Sequence, residues 1–432
     1  MSDLIEDWKL RRKFADRLSQ MYREEVPAYG ELVDLVGQIN AEDHSGSVRL
    51  GEERHGAIRL AHPKELKLIR RALRLLGMHP VGYYDLSPAG LPVHSTAFRP
   101  LTSESMEKNA FRIFTSLVRL DQIGSERLKA EAKTLVNKRS IISSEALLLI
   151  EVGERYGGLT EDEGEQFITA LMDTFRWRGE ALASHSLYEA ILGEHPLLAD
   201  VVCFPNPHIN HLTPRVVDID KAQDEMIARG LPAKAKIEGP PKRKCPVLLR
   251  QTAFRALDET VFFPAGENGI SGLHTARFGE IESRGAALTT EGMRRYNTCM
   301  ASSACDCLPD DWNELREQGL AWFSYETVDA TGAQIETAIA GGDVNELVRA
   351  GALKATPITY EDFLPVSAAG IFRSNLKEDV RISGGQSSNQ TEFEDAMGSR
   401  VHDAQALYRL ESDSSLKRMI RESEGLMGPV HG

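Results

Sequence analysis

Apolar residues recur about every 3.6 positions through the opening stretch "DLIEDWKLRRKFADRLSQMY", where Leu4, Trp8, Leu10, Phe14, Leu18 and Met21 share one stripe. That period predicts amphipathic helix, and residues 1–45 read as N-terminal helices. The pattern then changes. "HGAIRL" reads as a strand, and Pro63 opens a helix, "KELKLIRRALRLLG", that stops at Gly77. "VGYYDL" and "VHSTAFRPL" follow as strands around the turn chemistry of "SPAGLP". Residues 46–102 therefore form a β-α-β-β module.

From 103 to 198, "ESMEKNAFRIFTSLVRL", "ERLKAEAKTLVNKR", "SSEALLLIEVGERYG" and "DEGEQFITALMDTFRWR" all carry helical periodicity, which predicts a helical insert. Residues 199–292 return to the first order of elements. "HINHLTPRVV" reads as a strand and "DIDKAQDEMIARG" as a helix, followed by strands in "AKAKIEGPP", "PVLLRQTAFRAL" and "GLHTARFGEIESRGAAL". The shared "TAFR" and the repeated order argue for internal duplication. Residues 293–432 are mixed and are expected to close the site. The fold class is α+β, built on β-α-β-β-β modules with a helical insert and helical termini.

Composition narrows the function. Of 432 residues, 41% are hydrophobic and 27% charged, as in ordinary globular chains. A net charge of -13 argues against a general nucleic-acid binder. No apolar run reaches the roughly 20 residues of a membrane span, and no signal-peptide core opens the chain, so a cytoplasmic protein acting on a small molecule is expected. The five cysteines, Cys203, Cys245, Cys299, Cys305 and Cys307, are odd in number and read as free thiols, and the spacing of Cys299, Cys305 and Cys307 suits a zinc site poorly.

Candidate chemistry concentrates in three strands. His55 and Arg59 stand four apart in "RHGAIRL", so both face one side of a strand, with the small Ala57 between them. That suits a metal ligand at one end and a carboxylate clamp at the other. "PNPHINHLTPR" sends His208 and His211 to opposite faces, and His211 sits further into the strand. "FGEIESRG" places Glu280 and Glu282 on one face with Arg284; a metal needs one of the two carboxylates, and the other would support it or pair with Arg284. His94 and His274 read as core histidines, and His62, His79, His185, His195, His402 and His431 as surface or turn residues. Two histidines and one carboxylate are the ligand set of non-haem Fe(II) oxygenases.

The blocks "RHGAIRL", "GYYDLSPAGLPVHSTAFRP", "HINHLTPRVVDID", "FGEIESRGAALT" and "FLPVSAAGIF" together resemble the 2-oxoadipate dioxygenase/decarboxylase family of the vicinal-oxygen-chelate superfamily. The resemblance implies Fe(2+) on His55, His211 and Glu280, with Glu282 the lesser choice. It implies that Arg59 grips a substrate carboxylate and that Val366 and Ser367 contact the substrate. The implied reaction takes 2-oxoadipate and O2 to D-2-hydroxyglutarate and CO2 in lysine catabolism. Two other readings are a metal-dependent isomerase or lyase of the same superfamily and a small-molecule-binding protein without catalysis.

Overall fold

In a computed structural model, helix Asp7–Glu25 buries Leu10, Phe14, Leu18 and Met21, the inner part of the predicted stripe. Helix Pro27–Ala41 follows, with Pro27 in its first turn, where a missing N–H costs nothing. The structure describes residues 3–42, 51–52, 54–264, 269–302, 308–341, 344–364 and 389–423. They divide into two units: Met1–Glu238 with Arg250–Ser283 and Phe363–His402, and Gly239–Leu249 with Arg284–Asp362 and Asp403–Gly432. The fold is mixed α+β, with one five-stranded sheet and several two-stranded ones.

The first unit holds the large sheet. Its strands are β1 (Arg54–Leu60), β2 (His79–Asp85), β3 (Val93–Arg99), β4 (Arg112–Val118) and β5 (His211–Pro214), in the spatial order β2-β3-β4-β1-β5. β1 runs parallel to β4 and antiparallel to β5, and β3 is antiparallel to both β2 and β4. Helix Pro63–Leu75 connects β1 to β2, capped by the His62 side chain, which accepts from the Lys64 N–H. The element order from residue 54 to 118 is thus β-α-β-β-α-β, the second helix being the short Ser103–Lys108 between β3 and β4.

β1 is buried along almost its whole length, and its two faces differ. Ile58 and Leu60 enter a hydrophobic core shared with Phe14, Tyr22, Leu66, Ile69 and Phe98. His55, Ala57 and Arg59 point to the other side, as the period of two requires. Register extends that second face across the sheet. His55 lies opposite Arg112 and Thr213, Ala57 opposite Phe114 and His211, and Arg59 opposite Ser116.

Three expectations about elements are corrected. Within the predicted helical insert, Ser103–Lys108 is helical but "RIFTSLV" is strand β4, buried at all seven positions. Complete burial erases the alternation that marks a strand, so an apolar run of this kind mimics a helix. "AKAKIEGPP" forms only isolated bridges, Ala233 to Phe254 and Glu238 to Gln251, where Pro232 and Pro240 interrupt any ladder. The expected single strand over "GLHTARFGEIESRG" is two, β8 (Ile270–Thr275) and β9 (Glu280–Arg284). β8 pairs with β7 (Asp258–Phe263), whereas β9 pairs with β6 (Leu249–Ala253). Gly279 opens β9 where a Cβ would sit 2.2 Å from the Phe254 ring, so only glycine fits.

The second unit has a small core of Ala330, Ile335, Leu353 and Met419 beside the antiparallel pair β10 (Phe323–Thr327) and β11 (Leu353–Pro357). Arg284 donates to the carbonyls of Tyr360 and Asp362, each at 2.9 Å. Cys203 and Cys245 are free, but Cys299 is disulfide-bonded, against the expectation of five free thiols.

Candidate metal centre

The second face of the sheet carries the site. His55 from β1, His211 from β5 and Glu280 from β9 are all buried, and one ligand atom of each lies within 4.8 Å of the others. Glu280 Oε2 is 3.2 Å from His55 Nε2 and 3.5 Å from His211 Nε2. The sheet explains the meeting. His211 stands opposite Ala57, diagonal to His55, and the small Ala57 leaves room for an imidazole. β9 lies along β5, joined by the Val216 N–H to Glu282 carbonyl bond of 2.8 Å. Thr213, opposite His55, donates its hydroxyl to Glu280 Oε2 at 2.9 Å.

Neighbours set the charge of these groups. Burial depresses His211 well below the ordinary histidine pKa, and the positive charges of His55, Arg59 and Lys234 push it the same way. Its ring is therefore neutral, the form that ligates a metal. Burial also pulls His55 down, but the Glu282 and Glu280 carboxylates outweigh it and raise its pKa. The far side of the His55 ring is held too: Nδ1 lies 2.8 Å from Glu282 Oε2, whose other oxygen is 4.0 Å from Arg112 Nη1. Phe278 stacks on His211 at 4.5 Å and Phe363 meets the His55 ring edge-on at 4.9 Å, so both rings are fixed.

The geometry separates the two glutamates. Glu280 joins the three-residue cluster, and Glu282 backs His55 from outside it. Such a carboxylate behind a ligand histidine fixes its tautomer and orientation. The donor set passes a fit test for a metal ion. The Nε2 atoms of both histidines face one carboxylate, and neither Glu280 Oε1 nor His211 Nδ1 has a hydrogen-bond partner among the described residues.

Arg59, the fourth predicted residue, faces the same side and is held by a group that no sequence motif marks. Its Nη1 lies 2.5 Å from Asp200 Oδ2. Asp200 also receives Asn210 Nδ2 on Oδ2 at 3.2 Å, and its Oδ1 is 3.0 Å from His274 Nε2 and 3.2 Å from His208 Nε2. Tyr188 adds its hydroxyl, 3.0 Å from His274 Nδ1. Burial alone would raise the Asp200 pKa, but His208, Arg59 and His274 hold it well below the usual carboxylate range. The one sequence signal for this network is an acid inside the apolar helix Pro196–Val202. Val366 and Ser367 lie outside the described residues.

An α+β fold with a buried His-His-Glu cluster, a donor set that suits a metal ion, and an arginine–aspartate pair on the same face of the sheet frame the candidate site. The family model described as 2-oxoadipate dioxygenase/decarboxylase matches residues 14–375, and the chain belongs to that family. It is 43% identical to the 2-oxoadipate dioxygenase/decarboxylase of Escherichia coli K12, over 97% of this chain and 99% of that one. It is also similar to the crystal structure of hydroxyglutarate synthase from Pseudomonas putida in complex with 2-oxoadipate, with a TM-score of 0.87 and 39% identity, covering 98% of this chain and all of the other. A putative glyoxalase superfamily protein from Ralstonia eutropha JMP134 shares the fold at a TM-score of 0.52 and 21% identity, over 66% of this chain and 87% of that one. No helix among the described residues is long and apolar enough to cross a membrane.

Proposed function

We propose that this protein is an Fe(II)-dependent dioxygenase that converts 2-oxoadipate and O2 to D-2-hydroxyglutarate and CO2. The observation that carries the reading is the buried meeting of His55, His211 and Glu280 in a chain of this family. These three residues would hold Fe(II) and, as only three protein ligands, would leave room for substrate and O2. Bound there, the ion supplies Lewis acidity and the electrons that activate O2.

The residues of the chain do the positioning. Glu282 holds His55 with Nε2 toward Glu280, where the ion would be bound, and Thr213 steadies the Glu280 carboxylate through its hydrogen bond. Arg59 binds the far carboxylate of the diacid, and the Asp200 network fixes its guanidinium. A planar fork sets both distance and direction, so one hydrogen of the substrate methylene is presented and one enantiomer forms. Val366 and Ser367 are assigned to the substrate on the family resemblance. The reaction consumes and releases no net proton, and the Asp200–His208–His274 network serves to hold the Arg59 guanidinium in place.

The order of elements over β1–β4 supports reading it as one vicinal-oxygen-chelate module, with β5–β9 as the second. A cytoplasmic place in lysine breakdown belongs to the same proposal. The test is oxygen uptake by Fe(II)-loaded protein with 2-oxoadipate, together with CO2 and chiral 2-hydroxyglutarate. Turnover without oxygen uptake would instead indicate isomerase or lyase chemistry.

A further inference from the structure

We propose that Gln251 is a substrate-binding residue, whose amide N–H groups donate to the 2-oxo-acid head of the substrate beside His55 and Glu280. The inference rests on the functional reading above and goes beyond it. Gln251 is fully buried in β6, yet neither its Nε2 nor its Oε1 has a hydrogen-bond partner among the described residues. Burying both ends of an amide unpaired is costly, and native interiors rarely do it without a reason such as a guest that completes the bonding.

The register of β6 on β9 says where that amide points. The Phe254 N–H bonds the Gly279 carbonyl at 3.0 Å, and the Gly285 N–H bonds the Leu248 carbonyl at 2.7 Å. These two bonds define an antiparallel ladder in which Gln251 lies opposite Glu282 and Ala253 opposite Glu280. Opposite residues share a face. That face is the one from which Glu280 and Glu282 both reach the His55 ring. Glu282 is committed to His55 Nδ1, so it does not take the Gln251 amide. Ala253, small and opposite Glu280, leaves space beside the cluster.

The residue type fits the task. A 2-oxo acid offers only acceptor oxygens at its carboxylate and keto group. A neutral amide answers them with two donors and adds no positive charge to compete with a metal ion. Arg59 then reads one end of the diacid and Gln251 the other.

The experiment uses Fe(II)-loaded protein under anaerobic conditions, with 2-oxoadipate titrated by calorimetry against wild type, Gln251→Leu and Gln251→Glu, and with iron content and Tm measured on each. Gln251→Leu should weaken 2-oxoadipate binding roughly 10- to 100-fold with iron content unchanged and Tm equal or higher, since an unpaired amide is gone. Gln251→Glu, nearly isosteric, should weaken binding at least as much by adding negative charge, and it serves if the leucine variant fails to fold. Unchanged affinity in a folded variant, or loss of iron in parallel with loss of binding, would overturn the assignment. Failure of the wild-type protein to bind 2-oxoadipate would instead remove the functional reading itself.

Discussion

Two buried polar clusters lie on the first unit's sheet and its flanking elements, and they are finished to different degrees. At Asp200 both carboxylate oxygens are covered, by Arg59, Asn210, His208 and His274, although His208 Nδ1 and Asn210 Oδ1 have no hydrogen-bond partner among the described residues. At Glu280 they are not: Oε1 is unpartnered among the described residues, and two imidazole nitrogens face one oxygen that a single threonine hydroxyl serves. The environment also acts in opposite senses. It keeps Asp200 charged in spite of burial, and it keeps His211 neutral through burial and nearby cations. A carboxylate with both oxygens covered holds the protein's own side chains in place, whereas one with an oxygen left open is shaped for a guest.

The largest effects should follow from breaking the Glu280 cluster. His55→Ala, His211→Ala and Glu280→Gln should each abolish metal retention and lower turnover by about 1,000-fold or more. Metal analysis beside an activity assay checks this, and full iron in Glu280→Gln would reverse the assignment of the two glutamates.

Next comes the Asp200 cluster. Arg59→Ala should raise KM for 2-oxoadipate sharply, roughly 100-fold, while iron content stays normal. Asp200→Asn should cost about 3–5 kcal/mol of stability near neutral pH, because it leaves a buried guanidinium without its counter-charge. The pH dependence has a definite sign. The folded Asp200 pKa lies well below the ordinary aspartate value of 3.8, so its contribution is present above that value and is lost as pH falls toward the folded pKa. The gap in denaturation midpoint between wild type and Asp200→Asn should therefore narrow as pH drops below about 4.

A smaller effect sharpens the contrast. Glu282→Gln keeps the shape behind His55 but removes the charge, and it should weaken metal affinity about 10- to 100-fold without abolishing it. Smallest is Ser116→Ala, which removes the buried 2.8 Å bond between Ser95 and Ser116 opposite Arg59. It should cost about 1 kcal/mol in urea denaturation with little change in KM.

The same contrast shows what the sequence could tell. The open cluster was legible because its residues sit in short strand motifs where a period of two assigns each side chain a face. His55, Ala57 and Arg59 could be read that way before any fold was known. Which glutamate joins the cluster was not legible, since Glu280 and Glu282 share a face and only the placement of β9 beside β5 distinguishes them. The Asp200 network was missed because its members come from a helix, a loop and a separate hairpin, at positions 200, 208, 210 and 274. His274 was expected to be a satisfied core histidine. It is one, and its bonds lead to the arginine of the site. Strand β4 reads as helix in the sequence because burial on both faces leaves no alternation.

The most direct test is to strip the protein of metal, restore Fe(II) without oxygen, and add 2-oxoadipate and O2 while following iron, oxygen, CO2 and 2-hydroxyglutarate together. The account predicts one iron per chain, equal amounts of oxygen consumed and CO2 and 2-hydroxyglutarate formed, and no turnover before iron is restored. Full turnover by the metal-stripped protein, or undiminished iron binding in the His211→Ala variant, would contradict it.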